Sequence, residues 1–123
     1  MSECRGEVEA DDEIPRVFVR CVGEQIPETV QYIEYGIEEE GVSWVVKRGY
    51  DGETVSVAYE AALDSSLKIG VSITPDDRVV VHHKQLPDDE PVFDIAGVAP
   101  ETARKLGSNS ARLAKGTPLK PIG

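Results

Sequence analysis

The stretch from Glu28 to Arg48, ETVQYIEYGIEEEGVSWVVKR, constrains the chain most, because its apolar period switches from 3.6 to 2 at one glycine. Ile26, Val30, Ile33 and Ile37 recur three or four apart and share one narrow helical face. Tyr32, Tyr35 and Glu39 fall together on the opposite face, which a lone domain would turn to solvent. Gly41 suits the left-handed residue that ends a helix, and Val42 to Lys47 beyond it reads as a strand. A β-branched run, Arg16 to Val22, precedes the helix and reads as the first strand. Strand, helix and strand in that order make a βαβ unit with parallel strands.

The rest of the chain extends the pattern. Gly49, Asp51 and Gly52 predict a turn, and a second helix runs from about Glu53 to Leu63. Its small-residue face, Val55, Ala58, Ala61 and Ala62, can approach a sheet closely. Lys68 to Thr74 is a third strand in which Ile69, Val71 and Ile73 alternate strictly. Pro75-Asp76-Asp77 is a tight turn, so Arg78 to His83 folds back antiparallel. Gln85 to Pro91 is an exposed loop and Val92 to Ala96 a short fifth strand. Pro100 opens a last helix through Ala103, Leu106, Ser110 and Leu113, stopped near Gly116 and Pro118. The expected fold is a three-layer α/β/α sandwich, a five-stranded mixed sheet with one antiparallel strand. Residues 1–14 read as a flexible acidic tail and residues 15–123 as a single domain.

Charge narrows the partners. The net charge is −10, yet residues 101–123 carry one acid against five bases. Nucleic acid is a poor partner for such a chain, because the phosphate backbone demands a basic footprint. The basic end faces an acidic protein surface, faces the domain's own acidic half, or serves solubility. No apolar run reaches the roughly 18 residues of a membrane span, and the first residues lack a signal-peptide layout, so a cytoplasmic protein is expected. Cys4 lies in the polar tail, and Cys21 reads as a small hydrophobe in a strand. Their spacing suits neither a disulfide framework nor zinc.

Glu38, Glu39 and Glu40 sit just before Gly41, at the negative end of the helix macrodipole. Each such carboxylate costs roughly 0.3–1 kcal/mol at a surface, which a cation or a basic partner surface would offset. Two readings stand side by side: a solvated acidic face, or carboxylates offered to a metal or a partner. Catalytic constellations are missing. The sequence has no GxxxxGK[ST] loop, no GxGxxG after the first strand and no GxSxG elbow. His82 and His83 are strand neighbours pointing to opposite faces, which suits a structural histidine better than a triad or a chelate. Asp88-Asp89-Glu90 lacks the glycine and spacing of a calcium loop. A phospho-receiver would need acids after the first strand and an Asp after the third, where Val22-Gly23 and Thr74-Pro75 stand. A good core, aromatics on an outer helix face and no catalytic set read as a subunit held by something else.

Four segments carry a resemblance: YGIEEEGVSW at 35–44, DSSLKIGVSI at 64–73, VVVHHKQLPDDEPVF at 79–93 and LGSNSARLAKGTPL at 106–119. Together they resemble the small subunit of cobalamin-dependent diol and glycerol dehydratase reactivating factors. The resemblance implies a non-catalytic chain, similar in fold to the dehydratase medium subunit. It implies pairing with a large subunit that has an actin-like ATPase domain, in a heterotetramer of two large and two small chains. The small subunit would displace the dehydratase medium subunit and meet the dehydratase large subunit, so that damaged cobalamin leaves. The resemblance further implies ATP on the partner subunit and a magnesium or calcium ion at the subunit interface. In the pattern glycine, hydrophobe, Glu, Glu, any residue, glycine, the metal ligand falls on Glu39, with Glu38 as the fallback. Tyr32, Tyr35, Glu39 and Glu40 are then the expected partner-binding residues. The alternatives are the dehydratase medium subunit itself and a diverged homo-oligomeric binding domain. A bacterial microcompartment is an open location, and an isolated chain with exposed tyrosines is open to self-association.

Overall fold

The computed structural model describes residues 14–122. Residues 1–13 of the expected acidic tail, Cys4 among them, therefore lie outside the described residues. Among those described, five strands and three helices follow in the order β1 (Arg16–Val22), α1 (Thr29–Glu39), β2 (Ser43–Tyr50), α2 (Thr54–Asp64), β3 (Ile69–Ile73), β4 (Val79–His83), β5 (Phe93–Ile95) and α3 (Pro100–Lys115). The sheet order is β2-β1-β3-β4-β5. β1 pairs parallel with β2 and β3, while β4 runs antiparallel between β3 and β5. The expected mixed sheet with one antiparallel strand is the sheet observed.

Alternation assigns the two faces. Val17, Val19 and Cys21 of β1, Ile69, Val71 and Ile73 of β3, and Val79 and Val81 of β4 form one buried cluster. Val30, Ile33 and Ile37 of α1 and Ala103, Leu106 and Ala111 of α3 complete it. The intervening β3 residues, Gly70 and Ser72, lie under α2, where the Ser72 hydroxyl donates to the Thr54 carbonyl at 2.7 Å. A Cβ at Gly70 would stand 2.7 Å from Ala61 Cβ and still nearer to α2 backbone. The small face of α2 does approach the sheet closely, with buried Val57 beside Ala58, Ala61 and Ala62 where Val55 was expected. Glu53 caps this helix, its Oε1 accepting from the Val55 and Ser56 N–H groups.

α1 packs chiefly on α3, through glycine on both sides. A Cβ at Gly36 would meet the Arg104 carbonyl oxygen and stand 2.6 Å from the Ser108 nitrogen. A Cβ at Gly107 would stand 2.8 Å from the Ile33 carbonyl carbon. The two backbones touch where no side chain fits.

Three expectations are corrected. Ile26 precedes α1 and is 37% exposed, because the chain has not yet entered the helix whose face it was to share. Gly49 does not open a turn after β2. It lies within the strand at φ +87°, where the register slips between the Arg20–Lys47 and Val22–Tyr50 pairs. A glycine in the left-handed region supplies such a bulge without strain. β5 shortens from Val92–Ala96 to three residues.

The crevice beyond the carboxyl ends of β1 and β3, where open α/β sheets commonly take ligands, is occupied by the chain itself. Pro75 Cγ lies 3.8 Å from the Cβ position of Gly23, and the Thr29 hydroxyl donates to Asp77 Oδ1 at 2.7 Å. His82, buried against Tyr59 at 5.0 Å between ring centroids, is a structural histidine. Its Nδ1 accepts the His83 N–H at 2.9 Å, which leaves Nε2–H to donate to the Asp88 carbonyl at 3.2 Å.

Gly36→Ala is expected to destabilise the chain by roughly 3 kcal/mol or more, since overpacking here falls on backbone that cannot step aside. A urea unfolding midpoint unchanged from the parent would overturn the close α1–α3 crossing.

Candidate interaction surface at the end of helix α1

The three consecutive glutamates meet three different environments. Glu38 is exposed and has no ion-pair partner among the described residues. Glu39, about 100° further round the helix, is ion-paired with Arg104, and its Oε1 lies 4.0 Å from Lys120 Nζ. Glu40 turns inward, its side chain only 11% exposed. The Ser108 hydroxyl donates to Glu40 Oε2 at 2.6 Å and Arg112 Nε donates to the same oxygen at 2.9 Å. Lys115 Nζ donates to Glu40 Oε1 and to the Glu40 carbonyl, both at 2.9 Å. The second contact answers a carbonyl orphaned at the helix end, and the cations neutralise the unfavourable end of the dipole. Gly41 follows at φ +74°, its N–H donating to the Glu38 carbonyl at 3.0 Å.

Two members of the acidic run, Glu39 and Glu40, thus receive their counter-charge from within the chain. The open question over the basic end resolves toward the domain's own acidic half. Arg104, Ser108, Arg112 and Lys115 recur four, four and three apart, and so share one face of α3. That spacing was the available signal for residues that sequence reasoning had passed over. The tail beyond α3 closes the cluster. Buried Asn109 donates from Nδ2 to the Lys120 carbonyl at 3.0 Å and accepts the Lys120 N–H at 2.7 Å, and Arg112 also donates to the Pro118 carbonyl.

Serine, lysine and arginine donors together lower the Glu40 carboxyl to a pKa of about 2, the Ser108 hydrogen bond contributing most, followed by those of Lys115 and Arg112. Pairing with Glu39 raises Arg104 further above its ordinary range. Glu40, expected among the partner-binding residues, is committed inside the chain, because its helix position points it at α3.

The tyrosines divide as well. Tyr35 is 46% exposed, its hydroxyl 3.5 Å from Gln31 Oε1, whereas Tyr32 is half-buried against the core. Their rings meet edge to face at 5.8 Å. Tyr32 was expected on the solvent face. The half-burial follows from its place at the margin of the α1 face that packs inward. Glu34, beside it, accepts the Trp44 indole N–H at 3.0 Å and ties α1 to β2. The remaining outward surface comprises Tyr35, the edge of Tyr32, Glu38 and the Glu39–Arg104 pair.

No group of three or more His, Cys, Asp or Glu among the described residues is arranged to hold a metal ion. A divalent cation such as magnesium wants about six oxygen ligands. The described residues of this surface therefore do not by themselves complete the coordination of such an ion.

Comparison with known proteins agrees with this architecture. Residues 14–120 match the family described as dehydratase medium subunit. The propanediol dehydratase-reactivating factor small subunit of Citrobacter freundii is 36% identical over 86 residues, covering 69% of this chain and 73% of that protein. The chain belongs to the family of dehydratase-reactivating factor small subunits. Among solved structures, a diol dehydratase-reactivating factor complexed with ADP and Mg2+ superposes with a TM-score of 0.77 at 30% identity, over 88% of this chain and 98% of that one. A glycerol dehydratase reactivase superposes with a TM-score of 0.79 at 27% identity, over 87% and 97%. Among the described residues no helix is long and apolar enough to cross a membrane.

The depressed Glu40 pKa sets a pH dependence. The carboxyl lies at about 2 when folded against an ordinary value of 4.5, so its stabilisation is complete above about pH 4.5 and is lost as the pH falls toward 2. Glu40→Gln is expected to lower stability at neutral pH by roughly 1–3 kcal/mol and to flatten the acid limb. Urea midpoints measured at neutral pH and near pH 3 check both, and an undiminished acid limb in the variant would refute the assignment.

Proposed function

We propose that the chain is the small subunit of a factor that reactivates a diol- or glycerol-type dehydratase, acting by association and catalysing no reaction itself. The observation that carries this reading is likeness across nearly the whole domain to reactivase chains, 98% of one and 97% of the other. The filled crevice above β1 and β3 supports it, because the surface that remains suits a protein partner. In this reading a large subunit bearing the ATPase is the partner, and two large and two small chains assemble. The small subunit takes the place of the dehydratase medium subunit against the dehydratase large subunit, and damaged cobalamin is released. The factor works in the cytoplasm or within a microcompartment.

Glu39 is the proposed ligand for a divalent cation at the large-subunit interface, with Glu38 as the fallback and the Tyr35 ring packing alongside. The exposed Glu39–Arg104 pair does not oppose this. Exposed ion pairs contribute only about 0–1 kcal/mol, so a cation brought by the partner can displace Arg104 from the carboxylate. Arg104 thereby keeps the Glu39 carboxylate paired until the partner arrives.

The second reading, a dehydratase medium subunit, is favoured by the description of the matching family. The two separate by what co-purifies with the chain. A large ATPase chain in near-equal amount supports the reactivase, and a dehydratase without that ATPase supports the alternative. Within the reactivase reading, Glu39→Gln is expected to weaken large-subunit binding about tenfold with magnesium present, and much less after chelation. Binding unchanged with and without magnesium would remove Glu39 from the interface.

A further inference from the structure

The two edges of the sheet are built differently. β5 at one edge has three residues, whereas β2 at the other has eight, more than any interior strand. Folded proteins ordinarily keep edge strands short, because a long one offers unpaired N–H and C=O groups to another chain. Among the described residues no backbone hydrogen bond reaches the outer side of Ser43 to Arg48, where every second residue directs its N–H and C=O away from β1. The register slip at Gly49 bends the strand beyond that point. About six residues, roughly 20 Å, remain as an open template. The side chains along it say what fits. Val45 and Val46 are buried, so the middle of the edge is apolar. Lys47 and Arg48 follow, exposed and on opposite faces of the sheet, and neither has an ion-pair partner among the described residues. Both are cations in a chain whose net charge is −10. Asp64 is already held by Arg20 at 2.8 Å, and the Glu24 carboxylate stands by Gly49 without pairing with either cation. A cavity of about 310 Å³ opens over β1 and β2 with Phe18, Val45 and Lys47 in its lining, which leaves room for the side chains of an added strand.

We propose that the β2 edge takes an extended segment of a partner protein as a sixth strand, one in which two consecutive acids adjoin two β-branched residues. Main-chain hydrogen bonds hold such a strand, and its alternate side chains select it. The β-branched residues lie beside Val45 and Val46. The two acids lie beside Lys47 and Arg48, one on each face, where opposite charges on neighbouring strands attract. Cations on an edge deter strands of their own sign, so the pair that guards this edge admits a strand bearing carboxylates. The inference goes beyond the association proposed at the end of α1 and stands without it.

The test titrates the isotope-enriched full chain with short blocked peptides holding Glu-Glu-Val-Ile or Val-Ile-Glu-Glu, so that both strand directions are offered. The same peptides with lysine in place of glutamate serve as the comparison. The expected result is amide shifts centred on Ser43 to Arg48 with one glutamate peptide, while the signals of Ser110 and Leu113 stay in place and the lysine peptides have no effect. Lys47→Glu combined with Arg48→Glu weakens binding roughly tenfold, as the loss of two surface ion pairs would, and its unchanged amide signals outside β2 report that the variant is folded. Shifts from neither glutamate peptide, shifts centred elsewhere, equal binding of the lysine peptides or undiminished affinity in the variant would overturn the proposal. So would β2 shifts that grow with chain concentration alone, because these place a second copy on the edge.

Discussion

The crossing of α1 and α3 at Gly36 and Gly107 is the constraint on which the acidic end of the molecule depends. Backbone against backbone, with no side chain between, sets the two helices close enough for short reaches to succeed. The Ser108 side chain has only Cβ and Oγ, yet its hydroxyl meets the Glu40 carboxylate at 2.6 Å. Had either glycine carried a Cβ, the helices would separate, and Glu40 would be left partly buried without its donors. Breaking such a group from its partners is strongly destabilising, by roughly 3–5 kcal/mol in buried pairs. Packing of two small residues therefore decides whether a charge cluster some distance along the helix can exist.

The sequence shows this arrangement unevenly. The alternating Ile69, Val71 and Ile73 made one sheet face legible, and the small residues of α2 announced a close approach. The partner of that approach, Gly70, was visible only as a strand glycine. Gly36 and Gly107 were harder still. Inside a helical pattern a glycine registers as a local cost, and its compensation lies in a contact about seventy residues away. The acidic run was legible as a demand for positive charge, but the donor was not, since one sequence satisfies that demand equally from within or from a partner. Which glutamate points inward depends on a single 100° step. That step is set by the helix's seating on α3, so the separation of Glu38, Glu39 and Glu40 into three roles needed the fold.

The distribution of polar chemistry follows the same logic. His82 uses both ring nitrogens on backbone groups, Thr29 and Asp77 close the sheet's upper crevice, and Asn109 spends its amide on the tail. Interior polar groups are consumed in holding loops and ends to the sandwich. What faces outward at the end of α1 is an aromatic ring, the Glu38 carboxylate and the exchangeable Glu39–Arg104 pair, which are means of recognition. Kinship with reactivating-factor small subunits is consistent with a domain whose interior is closed and whose chemistry is association.

The clasp between Asn109 and Lys120 has a consequence for biosynthesis. β1 is an interior strand of the sheet and is made early, but α3, which packs against α1, follows every strand, and the tail that satisfies Asn109 comes later still. Until α3 is made, Glu40 is unneutralised and the Gly36 surface bare, and until residue 120 follows, the buried Asn109 amide is unanswered. Non-local contacts must wait for the segments that make them, and here the last of them waits for residue 120. Closure of the fold is thereby tied to the emergence of residue 120, and a partner that recognises the finished surface meets only chains made at least that far.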